Sequence, residues 1–159
     1  MNRCFLLNAL LIFVFIKMNA TDISYLRNLF FEASNSKEKT EYMLKVLSVA
    51  NDKSVPIVKG YTAMSYMLLA KHGFNFFSRY NNFITGRELL ESAISQDRNN
   101  LELRFLRITV QLNVPSILNY SGDIEGDKKL IMANFRHIQD PDLRNKINNF
   151  FIKKNLPLN

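Results

Sequence analysis

Residues Leu101–Leu112 (LELRFLRITVQL) restrict the fold more than any other stretch of the chain. Wound at about 100° per residue, Leu101, Phe105, Ile108 and Leu112 form one apolar stripe. Leu103, Leu106 and Val110 form a second stripe on nearly the opposite side. A helix apolar on two sides must be packed on two sides, so it sits between neighbours as in a stacked helical array. Two narrow polar edges remain: Glu102 with Thr109, and Arg104 with Arg107 and Gln111.

The rest of the chain has helical periodicity and no convincing alternation of period two. Ile23, Leu26, Leu29, Phe30 and Ala33 make the face of a first helix, with Thr21 or Asp22 as its cap. Asn35 with Glu38 resembles a capping box for a second helix, which carries Met43, Val46 and Leu47 and ends at Asn51-Asp52. Pro56 opens a third helix through Ile57, Tyr61, Met64 and Leu68, and Gly73 is expected as its left-handed stop. Gly60 inside that helix implies close approach by a neighbour. Residues 74–82 (FNFFSRYNN) read as an aromatic loop before a fourth helix over Phe83–Gln96. Beyond Pro115 and a short turn, a sixth helix starts at Asp123, and Asp140-Pro141 caps a seventh lined by Leu143, Ile147, Phe150 and Phe151. Leu156–Asn159 reads as a loose tail. The expected fold is all-α, with about seven helices stacked as antiparallel pairs.

Met1–Arg3 followed by the apolar run Cys4–Ile16 and Lys17 has the form of an export signal, with Ala20 at a plausible cleavage point. The run falls short of the roughly 20 apolar residues that span a bilayer. Residues 1–20 are therefore expected to be a cleaved signal peptide and 21–159 a single helical domain, exported to a periplasm, with no membrane span once the signal is removed. An uncleaved leader holding the chain at a membrane surface is the competing expectation. Cys4 is the only cysteine, so the mature chain is left without disulfides, thiolate metal ligands or a cysteine nucleophile. Net charge is +7, or +5 once Arg3 and Lys17 leave with the leader. The bases are scattered, and Lys128-Lys129 and Lys153-Lys154 are their densest pairs, so no nucleic-acid footprint is expected.

Two features suggest binding chemistry. Arg104 and Arg107 stand about one turn apart and repel unless an anion lies between them, which suits a bidentate clamp on a carboxylate. The bland alternative is that Glu88, Glu91 or Asp97 already satisfies them. In the aromatic loop, Phe74, Phe76, Phe77 and Tyr80 surround Arg79, a composition suited to an interaction hot spot. The same rings are also suited to plugging the end of the stack. His72 and His137 lack partners at metal-ligand spacing, and Asp123, Glu125 and Asp127 fail the calcium-loop pattern and fit a helix start. Catalytic residues, metal and cofactor are all expected to be absent.

Residues 83–100 resemble the second helix and turn of a tetratricopeptide repeat, carried by Gly86, Leu90 and Ala93 and by the turn Asp97–Asn100. Arg98 stands where that repeat usually has proline, and no second copy follows at a fixed period. Gly60-Tyr61-Thr62-Ala63, Gly73-Phe74-Asn75 and Leu103-Arg104-Phe105-Leu106-Arg107 also resemble a family of small exported helical proteins with no assigned activity. These resemblances imply a short tetratricopeptide-like array and an exported location, but no catalytic residues. The expected function is a helical interaction module for a protein or acidic peptide. Its expected contact surface joins Arg104, Arg107 and Gln111 to Phe74, Phe76, Phe77, Arg79 and Tyr80. Oligomeric state and partner are not specified. A small enzyme or ligand carrier is the other class, needing a pocket on which Arg104, Tyr61 or His72 converge.

Overall fold

The structure, a computed structural model, describes residues 20–49 and 55–156. Residues 1–19 of the expected leader, the Asn51-Asp52 helix end and the last three residues of the tail lie outside the described residues; Ala20 already opens the first helix, which places the expected caps Thr21 and Asp22 inside it. Among those described, the fold is all-α: seven helices, two short 3-10 turns and no strand. The helices are α1 (Ala20–Ala33), α2 (Lys37–Val49), α3 (Pro56–His72), α4 (Phe76–Gln96), α5 (Leu101–Gln111), α6 (Ile124–Asn134) and α7 (Pro141–Lys153). None of them is long and apolar enough to cross a membrane.

α5 lies between two packed clusters, as its double stripe requires. Leu103, Leu106 and Val110 face a large core built with Leu26, Phe30, Met43, Leu47, Tyr61, Phe83 and Leu90 from α1–α4. Phe105 and Ile108 face a second core with Ile131, Ile138, Leu143, Ile147 and Phe151, while Leu101 and Leu112 pack at its margin. Each fully buried apolar side chain contributes roughly 1.5–3 kcal/mol, so α5 is the element both halves depend on.

Glycine sets the crossing of α3 and α4, the pair in most extensive contact. A Cβ on Gly86 would lie 2.9 Å from the Ala63 carbonyl oxygen and 3.2 Å from the Met67 nitrogen, both backbone atoms of α3. Gly86→Ala must therefore push the helices apart. A net loss of about 1–2 kcal/mol is expected in urea unfolding, after alanine's better helix propensity is counted. At Gly60 the crowding atoms are the flexible ends of Leu103 and Leu106, so Gly60→Ala should lose less. A Gly86→Ala protein as stable as wild type would disprove this close crossing.

Three local expectations are corrected. Residues 76–82 are the first two turns of α4 rather than a loop, because the Asn75 side chain accepts from the Ser78 N–H at 2.7 Å and starts the helix seven residues early. Gly73 has φ −67°, so α3 ends in extended backbone rather than a left-handed residue. The α2 cap is Ser36, whose Oγ accepts from the Lys39 N–H at 3.2 Å, and not Asn35. Pro56 and Asp140 take the expected places, with the Asp140 carboxylate accepting from the Asp142 and Leu143 N–H groups.

Candidate functional site

Each face of the stack encloses a charged cluster. On the first, the Arg27 side chain rises from α1 into the interior and is 1% exposed. Its guanidinium donates to both Glu102 oxygens at 2.7 and 3.0 Å, to Asp142 at 2.6 Å and to Asp140 at 2.9 Å. The buried Tyr61 hydroxyl donates to the same Glu102 carboxylate. Burial works against the Arg27 charge, but Glu102, Asp142 and Asp140 more than reverse it, and the group stays protonated. Burial and the neighbouring Glu102 push the Tyr61 hydroxyl well above the ordinary tyrosine range. Arg27 thus ties α1 to α5 and to the start of α7.

Burial raises the Asp140 carboxyl, while the Leu143 N–H and the Arg27 guanidinium lower it further, so the net shift is downward. Its contribution to stability is present above the unfolded value of about 3.9 and is lost as pH falls through the lower folded value. Asp140→Asn keeps the cap and removes the ion pair. The stability gap from wild type should be about 1 kcal/mol or less at pH 7, given the half-open site, and should close below about pH 4. A gap that persists unchanged at pH 2.5 would rule the ion pair out as its cause.

The second cluster holds the expected clamp residues. The Arg107 guanidinium donates to both Asp127 oxygens at 2.7 Å and to Glu91 at 2.8 Å, and lies 3.3 Å from Asp123. Arg104 donates to Asp127 at 3.0 Å and to the Arg98 carbonyl at 2.6 and 2.9 Å. Arg107 and Asp127 are almost wholly buried. The Tyr120 hydroxyl closes the cluster on Glu91 at 2.5 Å, and burial and that carboxylate raise it above its usual range. The guanidiniums are therefore not unpaired, which corrects the premise of the clamp. Glu91 is one partner, as expected, but the main anion is Asp127, which also lies in the first turn of α6 as expected and in addition turns into the fold to meet Arg107. Gln111 is likewise buried, donating to Asp123 at 3.3 Å, and its Oε1 has no partner among the described residues.

The aromatic residues lie elsewhere, at the end of the bundle where α1 and α3 finish and α2 and α4 begin. Phe74, Phe76 and Phe77 are 92%, 74% and 78% exposed, and Tyr80 is 46% exposed. Phe76 stacks on Tyr80 with ring centres 6.2 Å apart, and Phe77 meets Phe76 edge-on at 6.0 Å. Lys37 Nζ stands 5.1 Å from the centre of the Phe74 ring. Arg79 is turned to the end of α3, where its Nε donates to the Ala70 carbonyl at 3.1 Å. Lys71 similarly donates to the Ser34 carbonyl beyond α1 at 2.5 Å. The arginine edge and the aromatic tip are thus separate features rather than one surface.

Two shallow grooves lie on the surface. One of about 240 Å³ runs along Tyr25, Asn28, Leu29, Glu32, Lys39 and Tyr42, and one of about 380 Å³ along Asn99, Leu101, Leu130, Asn134 and His137. Neither is lined by Arg104, Tyr61 or His72, the groups from which a ligand carrier's pocket is expected to draw. No protein-family model, curated protein or solved structure matches the chain.

Proposed function

We propose that the protein is an exported helical interaction module whose contact surface is the aromatic tip Phe74, Phe76, Phe77 and Tyr80. The observation that carries this is a set of four large rings left in water, Phe74 just before α4 and Phe76, Phe77 and Tyr80 on its first turns, while the rest of that helix is well packed. At 46–92% exposure the four rings leave roughly 500 Å² of mostly apolar surface, within the range of patches that mark contact sites. Arg104, Arg107 and Gln111 are not part of the surface, since both guanidiniums are bonded to Asp127 and Gln111 is buried. Export rests on the apolar run at Cys4–Ile16 after a basic start. A tetratricopeptide-like array is supported by the close α3–α4 crossing at Gly86, with Leu90 and Ala93 buried beside it.

The test is crosslinking in cells of a tagged chain, comparing wild type with Phe74→Ser/Phe77→Ser. Neither ring packs into a core, so the double variant should keep its unfolding midpoint to within about 0.5 kcal/mol. It should lose at least about tenfold in capture of a specific partner, as expected when hot-spot aromatics are removed. A folded double variant that captures as wild type does would refute the tip as the contact surface.

A further inference from the structure

Building on the interaction-module reading, we infer that the aromatic tip receives an acidic segment of a protein partner, one with a large apolar side chain flanked by Asp or Glu. The four rings supply roughly 500 Å² by the estimate above, and a stable interface covers about 800 Å² on each partner. The remaining contact must come from the rim. That rim is cationic: Lys37 stands over the Phe74 ring, Arg79 adjoins Tyr80 in the chain, and Lys71 lies three residues before Phe74, at the end of α3. Among the described residues, Lys71 and Arg79 have no carboxylate within 4.0 Å, and both spend hydrogen bonds on helix-end carbonyls. Lys37 reaches Glu41 only at 3.5 Å on an exposed edge. Of the acids on the adjoining ends of α1 and α2, Glu32 is held by Lys39 at 2.9 Å, and Glu38 belongs to the first turn of α2 itself.

Helix polarity adds to this field. α4 is 21 residues long, has no acidic side chain in its first turn, and places the positive end of its dipole under Phe76 and Phe77. A partner carboxylate approaching the rings therefore meets a ring of positive potential, while a basic segment is repelled. The same field argues against a second copy of this chain, because two equal tips would set cations against cations. An anionic lipid surface shares the required charge, but three cations fall short of the clusters of about 4–8 that hold proteins to such surfaces. Phe76, Phe77 and Tyr80 also touch one another, Phe76 stacked on Tyr80 and edge-on to Phe77, so an apolar side chain of the partner meets a joined aromatic surface.

The experiment places a photoreactive phenylalanine analogue at position 77 of the full chain in its own cells and maps the adducts by mass spectrometry. The expected adducts are protein segments with net negative charge around an apolar attachment point. Lys37→Glu/Lys71→Glu should cut their yield about tenfold, while Lys129→Glu/Lys153→Glu, with the same change in net charge, should leave it unchanged. Adducts to neutral or basic segments, to phospholipid or to a second copy would overturn the acidic-partner inference. Equal losses from both lysine pairs would overturn it too, by showing that only overall charge matters. Those outcomes leave the tip as a contact surface; the absence of any adduct from a folded chain would overturn the interaction module itself.

Discussion

Arg27→Ala is expected to cost about 3–5 kcal/mol, because it leaves charged groups inside the protein without a counterion. Glu102 is 7% exposed and would retain only the Tyr61 hydroxyl as a partner. α1 would lose its tie to Asp140 and Asp142 at the head of α7. A domain of this size is held by about 5–15 kcal/mol in all, so the melting temperature should fall by roughly 10 °C or more. The loss belongs to the broken pairing rather than to the arginine alone. Arg27→Met combined with Glu102→Gln removes both charges, and should therefore be less destabilised than the sum of the two single changes. Strict additivity in thermal unfolding would show that the buried pair is not coupled.

The second large effect is at Arg107, and it reverses what an open clamp would give. A clamp residue can be neutralised with binding lost and folding untouched. With Arg107 5% exposed and bonded to both oxygens of a 2% exposed Asp127, Arg107→Gln should instead destabilise by about 2–4 kcal/mol. Arg104→Gln should lose only about 1 kcal/mol, since Arg104 is more exposed and Arg107 continues to hold Asp127. Asp127→Asn should resemble Arg107→Gln, because it strands the two guanidiniums together. Urea unfolding of the three variants ranks them, and an Arg104→Gln loss equal to that of Arg107→Gln would contradict this assignment of roles.

Some of this was legible in the chain itself. The double stripe of Leu101–Leu112 predicts a sandwiched α5, and Gly60 predicts close approach by a neighbour, here Leu103. The start of α4 was hidden for a physical reason. Phe76, Phe77 and Tyr80 face water, so the apolar periodicity that identifies a buried face begins only at Phe83. The start of a helix whose first turns carry exposed rings is set by the Asn75 cap, a weaker signal than a stripe. The charged clusters join residues far apart in sequence, such as Arg27 with Glu102 and Asp142, and pattern within one helix does not reveal such pairs. A trace was nevertheless present. Asp127 falls in the middle of the apolar stripe of Ile124, Leu130 and Ile131, and Arg27 borders that of Ile23, Leu26 and Phe30. A lone charge on a buried face calls for an opposite charge on another element.

The molecule divides the labour: buried arginines hold the helices together, and the exposed aromatic tip is left outside the packed cores. The most direct test is a single urea-unfolding comparison of wild type, Arg107→Gln and Phe74→Ser/Phe77→Ser. The predicted result is a loss of about 2–4 kcal/mol for the arginine change and less than about 0.5 kcal/mol for the loss of two phenylalanines. An Arg107→Gln protein as stable as wild type, beside an aromatic variant that unfolds early, would mean that the rings are structural and the arginine edge is the free surface.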